Sequence, residues 1–450
     1  MSSPQSADRR DFLKASAAVA GTAMATNMAG AHAAGADIIK VGLVGCGGRG
    51  RGAVKNILQA EEIINGDNPK IQIVAVADVF KDRASNAARD FSNPKHREYG
   101  PHTAQVKITP DTTFGGFDAY QKLIDSGVDL VILATPPGFR PYHLEAAIRA
   151  NKNVFCEKPV AVDATGIRKV FGLAEEAKKR NLAIVAGTQR RHQKGYIETI
   201  KQIKDGAIGN VISARVAWNS GGPNPIWFNK RQEGEPDTAY QIRNWYHYLW
   251  LCGDHIVEQH VHNLDVANWV IGDHPIRATG IGGRAARPGG AVADPNMFGQ
   301  IWDHFAVEYE YKNGVRVFSY CRHIAGSEGD VSEMVFGSNG SSRVGNYLIG
   351  KKQVGDDQIG GKHRDAYVQE HIDLLSSIRA GKPLNELRQV AESTFTAILG
   401  RNAAYAERWL KWDDALAAND GTMPEKLALD GALPATPAPT PGAWKLPKRA

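Results

Sequence analysis

The chain has 450 residues, of which 42% are hydrophobic and 23% charged, and this composition excludes a wholly disordered chain, a collagen-like fibre and a protein embedded in a membrane. The formal net charge of +6 comes from 54 basic and 48 acidic residues without a long basic run, so nucleic acid is not expected as a partner. Four cysteines without a C-x-x-C pair exclude a disulfide framework, and no zinc site of the usual spacing is predicted.

The first 33 residues have the order of features of a twin-arginine export signal. Arg9–Arg10 is followed by Phe12–Lys14, a mildly apolar stretch over 15–30 and the A-x-A-like site Ala31–Ala33. The stretch is too short and too weakly apolar to be a permanent anchor, and no second apolar run reaches 18 residues. We therefore predict an exported, periplasmic protein without a membrane anchor. A disordered tail that contains an arginine pair by chance is the alternative.

Strands alternate with helices in the next part of the chain, which predicts a parallel sheet covered on both faces. We assign residues 36–188 to this Rossmann-type domain. The predicted strands are 40–44, 71–77, 128–134, 153–156 and 182–186, and the predicted helices are 52–60, 117–125, 142–150 and 167–180.

A glycine-rich loop follows the first predicted strand and opens a helix. Gly45, Gly47 and Gly50 fit G-x-G-x-x-G, a pattern that gains meaning from this strand–loop–helix context. Gly45 permits the tight turn, Gly47 lets the backbone approach a pyrophosphate, and Gly50 allows close packing of helix and strand. The loop therefore predicts a dinucleotide site, and a purely structural glycine turn is the alternative.

Asp78, at the end of the second predicted strand, is placed to bind the adenosine ribose. A carboxylate there repels a 2′-phosphate, so NAD is favoured over NADP. The spacing to Asp78 is longer than usual because of an insertion over 61–70, and Arg49 and Arg51 leave NADP possible.

Glu157-Lys158-Pro159 lies just beyond the carboxyl end of a predicted strand, the edge at which open parallel sheets bind ligands. Lys158 is placed to hydrogen-bond a substrate hydroxyl and the cofactor ribose. A solvent-exposed lysine at a helix entry is the alternative.

From about residue 210 the pattern changes to strands with few helices between them. The predicted strands are 211–218, 276–282, 305–311, 315–320 and 332–337, and Asn313-Gly314 predicts a hairpin. A helical region is expected from 367 to about 410. We assign 189–425 to a second α/β domain with a mainly antiparallel sheet, and 426–450 to a Pro/Ala-rich tail that forms an extended or mobile arm.

Residues 253–265 are predicted to form one helix that places Asp254, Glu258, His262 and Asp265 on a shared face. A buried histidine with a carboxylate one turn away is a plausible base and orienting group. The alternatives are a core histidine and a metal site built from His255, Glu258, His260 and His262. The metal site is disfavoured because His260 points roughly 160° away from His262 on a helix.

Aromatic residues are dense between Trp218 and Trp250, and such rings stack on the C–H faces of sugars. Most of them are expected in the core or in a subunit interface. Arg190, Trp245, Asp254 and His255 are predicted to contact the substrate.

These motifs occur in an order that resembles the glucose–fructose oxidoreductase/inositol dehydrogenase (Gfo/Idh/MocA) family. They are Gly45–Gly50, Ala134–Pro137 with His143, Asn153–Pro159, Thr188–Arg191 and Val261–Asp265, and the resemblance covers about residues 38–425. It implies a Rossmann domain followed by an α/β domain whose open sheet often forms dimers or tetramers. Gly48, Arg49, Thr135, Pro136, His143 and Glu157 join the predicted cofactor site.

The resemblance also implies that Lys158 is the active-site lysine and His262 the histidine acid/base. The family usually has an aspartate four residues before that histidine, and this chain has Glu258. Glu258 is expected to orient His262 or to reshape the sugar pocket. The main hypothesis is an exported oxidoreductase that moves a hydride between a sugar, polyol or glycoside and a tightly bound NAD, with NADP possible.

Two other functions are compatible with these residues. A glycosidase or lyase would oxidise its sugar transiently and return the hydride, without net change of the cofactor. A sugar- or cofactor-binding protein without catalysis would retain the fold, although Lys158 and His262 argue against it.

Overall fold

The computed structural model describes residues 38–220, 228–287, 290, 293–354 and 365–449. The predicted export signal and cleavage site, residues 1–33, lie outside these ranges. In the part of the chain that is described, no helix combines the length and the apolar character needed to cross a membrane.

The first sheet is built from strands that are buried along most of their length. They are β1 (Ile39–Val44), β2 (Ile71–Asp78), β3 (Thr113–Gly115), β4 (Leu130–Leu133), β5 (Asn153–Cys156) and β6 (Ile184–Ala186). Within the described ranges the sheet has six parallel strands in the order β3-β2-β1-β4-β5-β6. The order reverses at β1, which places the switch point beside the glycine loop and confirms the predicted parallel fold.

Helices cover both faces of this sheet. They are α1 (Gly48–Asn65), α2 (Lys81–Phe91), α3 (Ala119–Asp125), α4 (Arg140–Arg149) and α5 (Ala164–Lys179). Helix α1 begins four residues earlier than predicted and includes the first half of the insertion at 61–70. Helix α2 was not predicted: its buried residues Ala84, Ala87 and Phe91 have helical spacing, but two of the three are alanines among charged residues, so the apolar signal is weak.

The second sheet is mixed and mostly antiparallel, as predicted. Its strands are β7 (Val211–Ser220), β8 (Pro275–Gly283), β9 (His304–Tyr311), β10 (Arg316–His323), β11 (Asp330–Gly337), β12 (Gly340–Arg343), β13 (Leu348–Ile349), β14 (Lys352–Gln353) and β15 (Leu410–Lys411). The order is β14-β13-β12-β11-β7-β10-β9-β8-β15, and among these described strands β7 and β10 run parallel. Asn313-Gly314 turns β9 into β10, with Gly314 at a φ of 83°.

Short helices connect the second sheet to the site. They are α6 (Lys194–Lys204), α7 (Asp237–Arg243), α8 (Leu249–Cys252), α9 (His255–Glu258), α10 (Val261–Ile271) and α11 (Pro295–Phe298). The single helix predicted over 253–265 is therefore wrong. Asp254 has a φ of 79°, and α9 ends at Glu258, so the backbone changes direction before His262.

The helical region predicted over 367–410 is divided into α12 (Ala366–Arg379) and α13 (Leu387–Ala406), followed by α14 (Trp412–Leu416). Gly381, at a φ of 64°, and Pro383 separate α12 from α13. Helix α12 returns to the first domain and packs against α1, and its Leu374 and Leu375 lie in the core of the first sheet. Helix α13 lies between α5 and strands β8 and β9, so it joins the two domains through buried contacts.

The C-terminal tail, which was predicted to be an extended or mobile arm, makes specific contacts with the rest of the chain. The indole N–H of Trp302 donates to the carbonyl of Pro439 over 2.8 Å, and the backbone N–H of Asn419 donates to the carbonyl of Lys448 over 2.9 Å. Trp444 packs against the core beside Tyr405. The apolar residues between the prolines therefore dock the tail.

Candidate functional site

The carboxyl ends of the first sheet face residues of the second domain across a cavity of about 550 Å³. The lining contains every residue predicted for the cofactor except Gly50: Gly45, Gly47, Gly48, Arg49, Asp78, Thr135, Pro136, His143, Glu157 and Lys158. Glu258, His262 and Trp245 line the same cavity from the second domain. The fold thus brings together groups that lie more than a hundred residues apart in the chain.

The glycine loop has the space that a dinucleotide requires. A Cβ at Gly45, whose φ is 98°, would approach the backbone of Ala134 to 2.7 Å, and a Cβ at Gly50 would approach the Gly45 carbonyl oxygen to 1.9 Å. At Gly47 and Gly48 a Cβ would meet nothing within 4 Å. The loop is therefore packed tightly where helix and strand meet and open where α1 presents its N-terminus to the cavity, which fits a pyrophosphate.

Replacing Gly47 with aspartate is expected to separate folding from cofactor binding. Gly47 is the N-cap of α1, a position that aspartate favours, so we expect unchanged or slightly higher thermal stability without cofactor. The carboxylate would occupy and repel the pyrophosphate position, so the NAD⁺ dissociation constant should rise at least about 100-fold. Fluorescence titration measures it. Gly172→Asp, at an exposed helix position, is the control and should not change it.

Asp78 is buried at the rim of the cavity. Its Oδ2 accepts from the backbone N–H of Cys46 at 2.8 Å and its Oδ1 from that of Phe80 at 3.0 Å. Burial raises the pKa of Asp78, and the two N–H donors oppose that rise. The carboxylate is thus held in place, with lone pairs left for a ribose. Arg51, which was considered for NADP, is ion-paired with Asp90 and does not line this cavity.

His143 is neutral and held between rings. Its Nδ1 lies 3.1 Å from the hydroxyl of Thr135, and its ring stacks on Tyr120 at a centroid distance of 4.2 Å. Burial lowers its pKa to about 3, with a smaller contribution from Arg140. The group offers a flat, uncharged surface to the cavity.

The Glu157-Lys158-Pro159 segment is fixed by two arginines. Arg140 is buried and donates to the backbone carbonyls of Thr135, Glu157 and Pro159. Arg49 is ion-paired with the Glu157 carboxylate and its guanidinium lies 4.6 Å from the ring centroid of Tyr367. The lysine between them is therefore presented on a rigid loop.

Lys158 contacts Glu258 rather than solvent. Its Nζ donates to Oε1 of Glu258 at 3.0 Å and to the backbone carbonyl of the same residue at 2.6 Å. Among the described residues, Oε2 of Glu258 has no hydrogen-bond partner although it is buried. Burial raises the pKa of Glu258, and the Lys158 cation opposes the rise. The carboxylate of Glu258, which was expected to orient His262 or to reshape the sugar pocket, thus forms an ion pair with Lys158.

His262 stands beside this pair as a neutral ring. It stacks on Trp218 at a centroid distance of 5.9 Å. Burial lowers its pKa well below the usual histidine value, and the cations Lys158 and Arg190 lower it further. At neutral pH the ring has a nitrogen lone pair that can accept a proton.

Three of the four residues predicted to contact the substrate, Arg190, Asp254 and His255, are not part of the cavity lining. Asp254 and His255 are fully buried. Asp254 accepts from the hydroxyl of Tyr405 at 2.6 Å and from the backbone N–H of Trp302 at 2.9 Å, so it fixes the turn before α9. Asp254 is thus the N-cap of α9, with a φ of 79°, and its side chain has structural partners.

Arg190 and Asp265 also have structural partners. Arg190 is ion-paired with Glu333 and lies 5.9 Å from the Trp218 ring, outside the cavity lining. Asp265 accepts from Arg191 and from the hydroxyl of Ser393.

Trp245 does line the cavity, as predicted for a substrate contact. In the described part of the chain no His, Cys, Asp and Glu cluster is arranged to hold a metal ion.

Several residues at the site were not singled out from the sequence. Arg140 carries no motif of its own, and Trp218 was one of many aromatic residues. Tyr367, Met423 and Leu427 reach the cavity from beyond residue 360. The place of these residues at the site follows from tertiary packing and not from a sequence motif.

Comparisons with known proteins agree with this geometry. The family model described as "Oxidoreductase family, NAD-binding Rossmann fold" matches residues 39–185, and the model described as "GFO/IDH/MocA C-terminal domain" matches residues 196–343. The chain belongs to the Gfo/Idh/MocA oxidoreductase family. The first domain of this family member is accordingly an NAD-binding Rossmann domain.

Curated relatives are distant and are matched over part of their length. Inositol 2-dehydrogenase of Acidothermus cellulolyticus is 26% identical over 57% of this chain and 61% of its own. 2,7-Anhydro-N-acetylneuraminate hydratase of Escherichia coli is 28% identical over 51% of this chain and 59% of its own. The matched region thus spans about three fifths of these Gfo/Idh/MocA relatives.

Solved structures support the family fold. The scyllo-inositol dehydrogenase of Lactobacillus casei, with bound NAD(H) and scyllo-inositol, has a TM-score of 0.59 and 18% identity, with coverage of 84% of this chain and 100% of its own. A levoglucosan dehydrogenase in complex with NADH and levoglucosan has a TM-score of 0.63 and 17% identity, with coverage of 83% and 99%.

Proposed function

We propose that this protein is an NAD(P)-dependent oxidoreductase that transfers a hydride between a hydroxyl-bearing carbon of a sugar, polyol or glycoside and a tightly bound nicotinamide cofactor. The observation that carries the proposal is the placement of Lys158, Glu258 and His262 in the same cavity as the glycine loop and Asp78. Relatives named as inositol dehydrogenases give the substrate class.

His262, Lys158 and Glu258 have different roles in the oxidation of an alcohol. When bound, NAD⁺ supplies the nicotinamide C4 that accepts a hydride. The substrate hydroxyl gives its proton to the neutral ring of His262, and the carbon that loses the hydride becomes a carbonyl carbon. The Lys158 ammonium stabilises the negative charge that develops on the substrate oxygen. Glu258 holds the ammonium in position through its Oε1.

The shape of the site adds specificity. Trp218 and Trp245 supply flat apolar surfaces on which the C–H face of a sugar ring packs. The unpartnered Oε2 of Glu258 can accept a hydrogen bond from a second substrate hydroxyl. A vicinal diol, as in cyclic polyols and sugars, satisfies both Lys158 and Glu258.

An absorbance experiment tests the function. The purified protein, with and without added NAD⁺ or NADP⁺, is mixed with a panel of sugars, polyols and glycosides and followed at 340 nm. A rise with one class of compound identifies the hydride donor. If NAD⁺ binds and no compound in the panel changes the absorbance or is itself converted, the oxidoreductase proposal is wrong and the binding-protein alternative is favoured.

A second candidate is a glycosidase or lyase that oxidises its substrate transiently. A relative named as a hydratase favours it, because that name denotes a reaction without net oxidation. The candidates differ in their products: release of free sugar with no lasting change at 340 nm supports the second one.

The location and the assembly are also proposals. The arginine pair and the A-x-A-like site of residues 1–33 support twin-arginine export to the periplasm, where a retained cofactor would be needed. Ile281, Phe318, Tyr320 and Phe336 are exposed on the second sheet, which supports a homodimer or homotetramer formed through it. Cell fractionation and sedimentation test these two points, and a cytoplasmic or monomeric protein would contradict them.

A further inference from the structure

Residues near the C-terminus contribute to the wall of the cavity. We use the name C-terminal strap for residues 419–449. Near its start, Thr422 donates from its backbone N–H and from its hydroxyl to Oδ2 of Asp163, at 2.8 and 2.7 Å. Further along, the backbone N–H of Leu433 donates to Oδ2 of Asp237 at 3.0 Å. These bonds tie the strap to the first domain at one point and to the second domain at another.

Between these anchors the strap contributes side chains to the cavity. Met423 and Leu427 are half-buried and form part of the lining. Both pack against a cluster formed by Tyr240, Ile242, Tyr248, Trp250 and Leu251 of the second domain. The strap is thus a wall of the site and not merely a surface feature.

From the first domain, the same cluster is packed by Val79, Phe80 and Phe117, which lie at the adenosine end, and also by Phe139, which follows β4. Val79 and Phe80 directly follow Asp78 at the end of β2, and Phe117 follows β3. The strand order β3-β2-β1-β4-β5 places these residues on the opposite side of the glycine loop from Lys158. In Rossmann sites the carboxylate at the end of the second strand binds the adenosine ribose, so this side holds the adenosine half of the dinucleotide.

We propose that Met423 and Leu427 are cofactor-binding residues, and that the strap closes the adenosine end of the cavity and retains the dinucleotide. The inference rests on the proposed function. Met423 and Leu427 would offer apolar surface to the adenine ring, together with Val79 and Phe117, which line the same cavity. Release of the cofactor requires the strap to lift, and lifting breaks the hydrogen bonds that Thr422 and Leu433 make.

The test measures cofactor release from the full-length protein. NADH fluorescence gives the dissociation rate and the dissociation constant for the native protein and for the double variant Met423→Ala/Leu427→Ala. We expect the variant to release NADH about 10- to 100-fold faster, with most of the loss of affinity in the dissociation rate. Leu429→Ala is the matched control, because Leu429 packs against the same cluster but does not line the cavity. It should release NADH at the native rate.

The outcomes separate this inference from the proposed function. If the native protein binds no NADH or NADPH, both fail. If the native protein binds NADH and the double variant releases it at the native rate, the strap does not retain the cofactor. If Leu429→Ala has the same effect as the double variant, Met423 and Leu427 are not cofactor-binding residues, and that part of the proposal is wrong. A higher KM for the hydride donor with an unchanged NADH rate would place these side chains in the substrate site instead and also overturns the proposal.

A variant that misfolds does not end the test. Circular dichroism reports the folding of each variant. If the double alanine variant is unfolded, Met423→Gln keeps the length of the side chain and removes only its apolar character. Faster NADH release by this variant supports the proposal, and the native rate contradicts it.

Discussion

Replacing Lys158 with methionine is expected to lower kcat/KM by about a thousandfold, within the 10²- to 10⁴-fold range of a residue that handles charge at the reacting atoms. Methionine keeps much of the volume of the lysine stem but cannot stabilise negative charge on the substrate oxygen. The measurement is steady-state oxidation of the hydride donor found in the absorbance panel. Lys201→Met, which removes an exposed ammonium paired with Asp205, is the control and should retain native activity.

The Lys158 variant also leaves a buried carboxylate without its cation, so its stability has to be followed. Lys158→Met/Glu258→Gln removes both charges and should recover thermal stability without recovering activity. Native turnover by the folded Lys158→Met protein would remove Lys158 from the mechanism.

Replacing Glu258 with glutamine is expected to lower kcat about 100-fold and to change the pH profile. In the native protein, burial raises the pKa of Glu258 above the usual glutamate range. As the pH falls through that pKa the carboxylate is protonated and no longer fixes the Lys158 ammonium, so activity should fall on the acid side. Glutamine does not titrate, so this acid limb should disappear from the profile of the variant.

The neutral ring of His262 makes this test selective. Because burial and the neighbouring cations lower the pKa of His262, its protonation should not produce an acid limb near neutral pH. An acid limb that persists in Glu258→Gln would contradict the assignment. Glu258→Asp keeps the charge but shortens the reach toward Nζ of Lys158, so it should retain the pH dependence and lose part of kcat.

Five of the six strands of the first sheet were predicted from the sequence because each is a short apolar run followed by a recognisable loop. The three-residue strand β3 and helix α2 were not predicted. The glycine loop, Asp78 and the Glu157–Pro159 segment follow β1, β2 and β5, and parallel strands present these ends at one edge. Local sequence patterns alone therefore predicted a set of residues of which all but Gly50 line one cavity, without knowledge of long-range packing.

The prediction that failed at the site assumed one uninterrupted helix over residues 253–265. A regular helix over 253–265 would place Asp254 near Glu258, but the positive φ at Asp254 and the end of α9 at Glu258 change the direction of the backbone. The strap was missed for another reason: its Pro/Ala-rich composition indicates an arm without regular structure, and only the aromatic cluster that receives Met423 and Leu427 shows where it docks.

Helix α12 has a consequence for biosynthesis. Leu374 and Leu375 complete the core of the first sheet, yet they follow the main strands of the second sheet in the chain. The ribosome delivers the amino-terminal part first, at about 5–20 residues per second. Part of the apolar surface of the Rossmann domain therefore stays uncovered until almost the whole polypeptide has been synthesised. We expect nascent chains shorter than about 380 residues to depend on chaperones. For the same reason, a separately expressed amino-terminal half should aggregate.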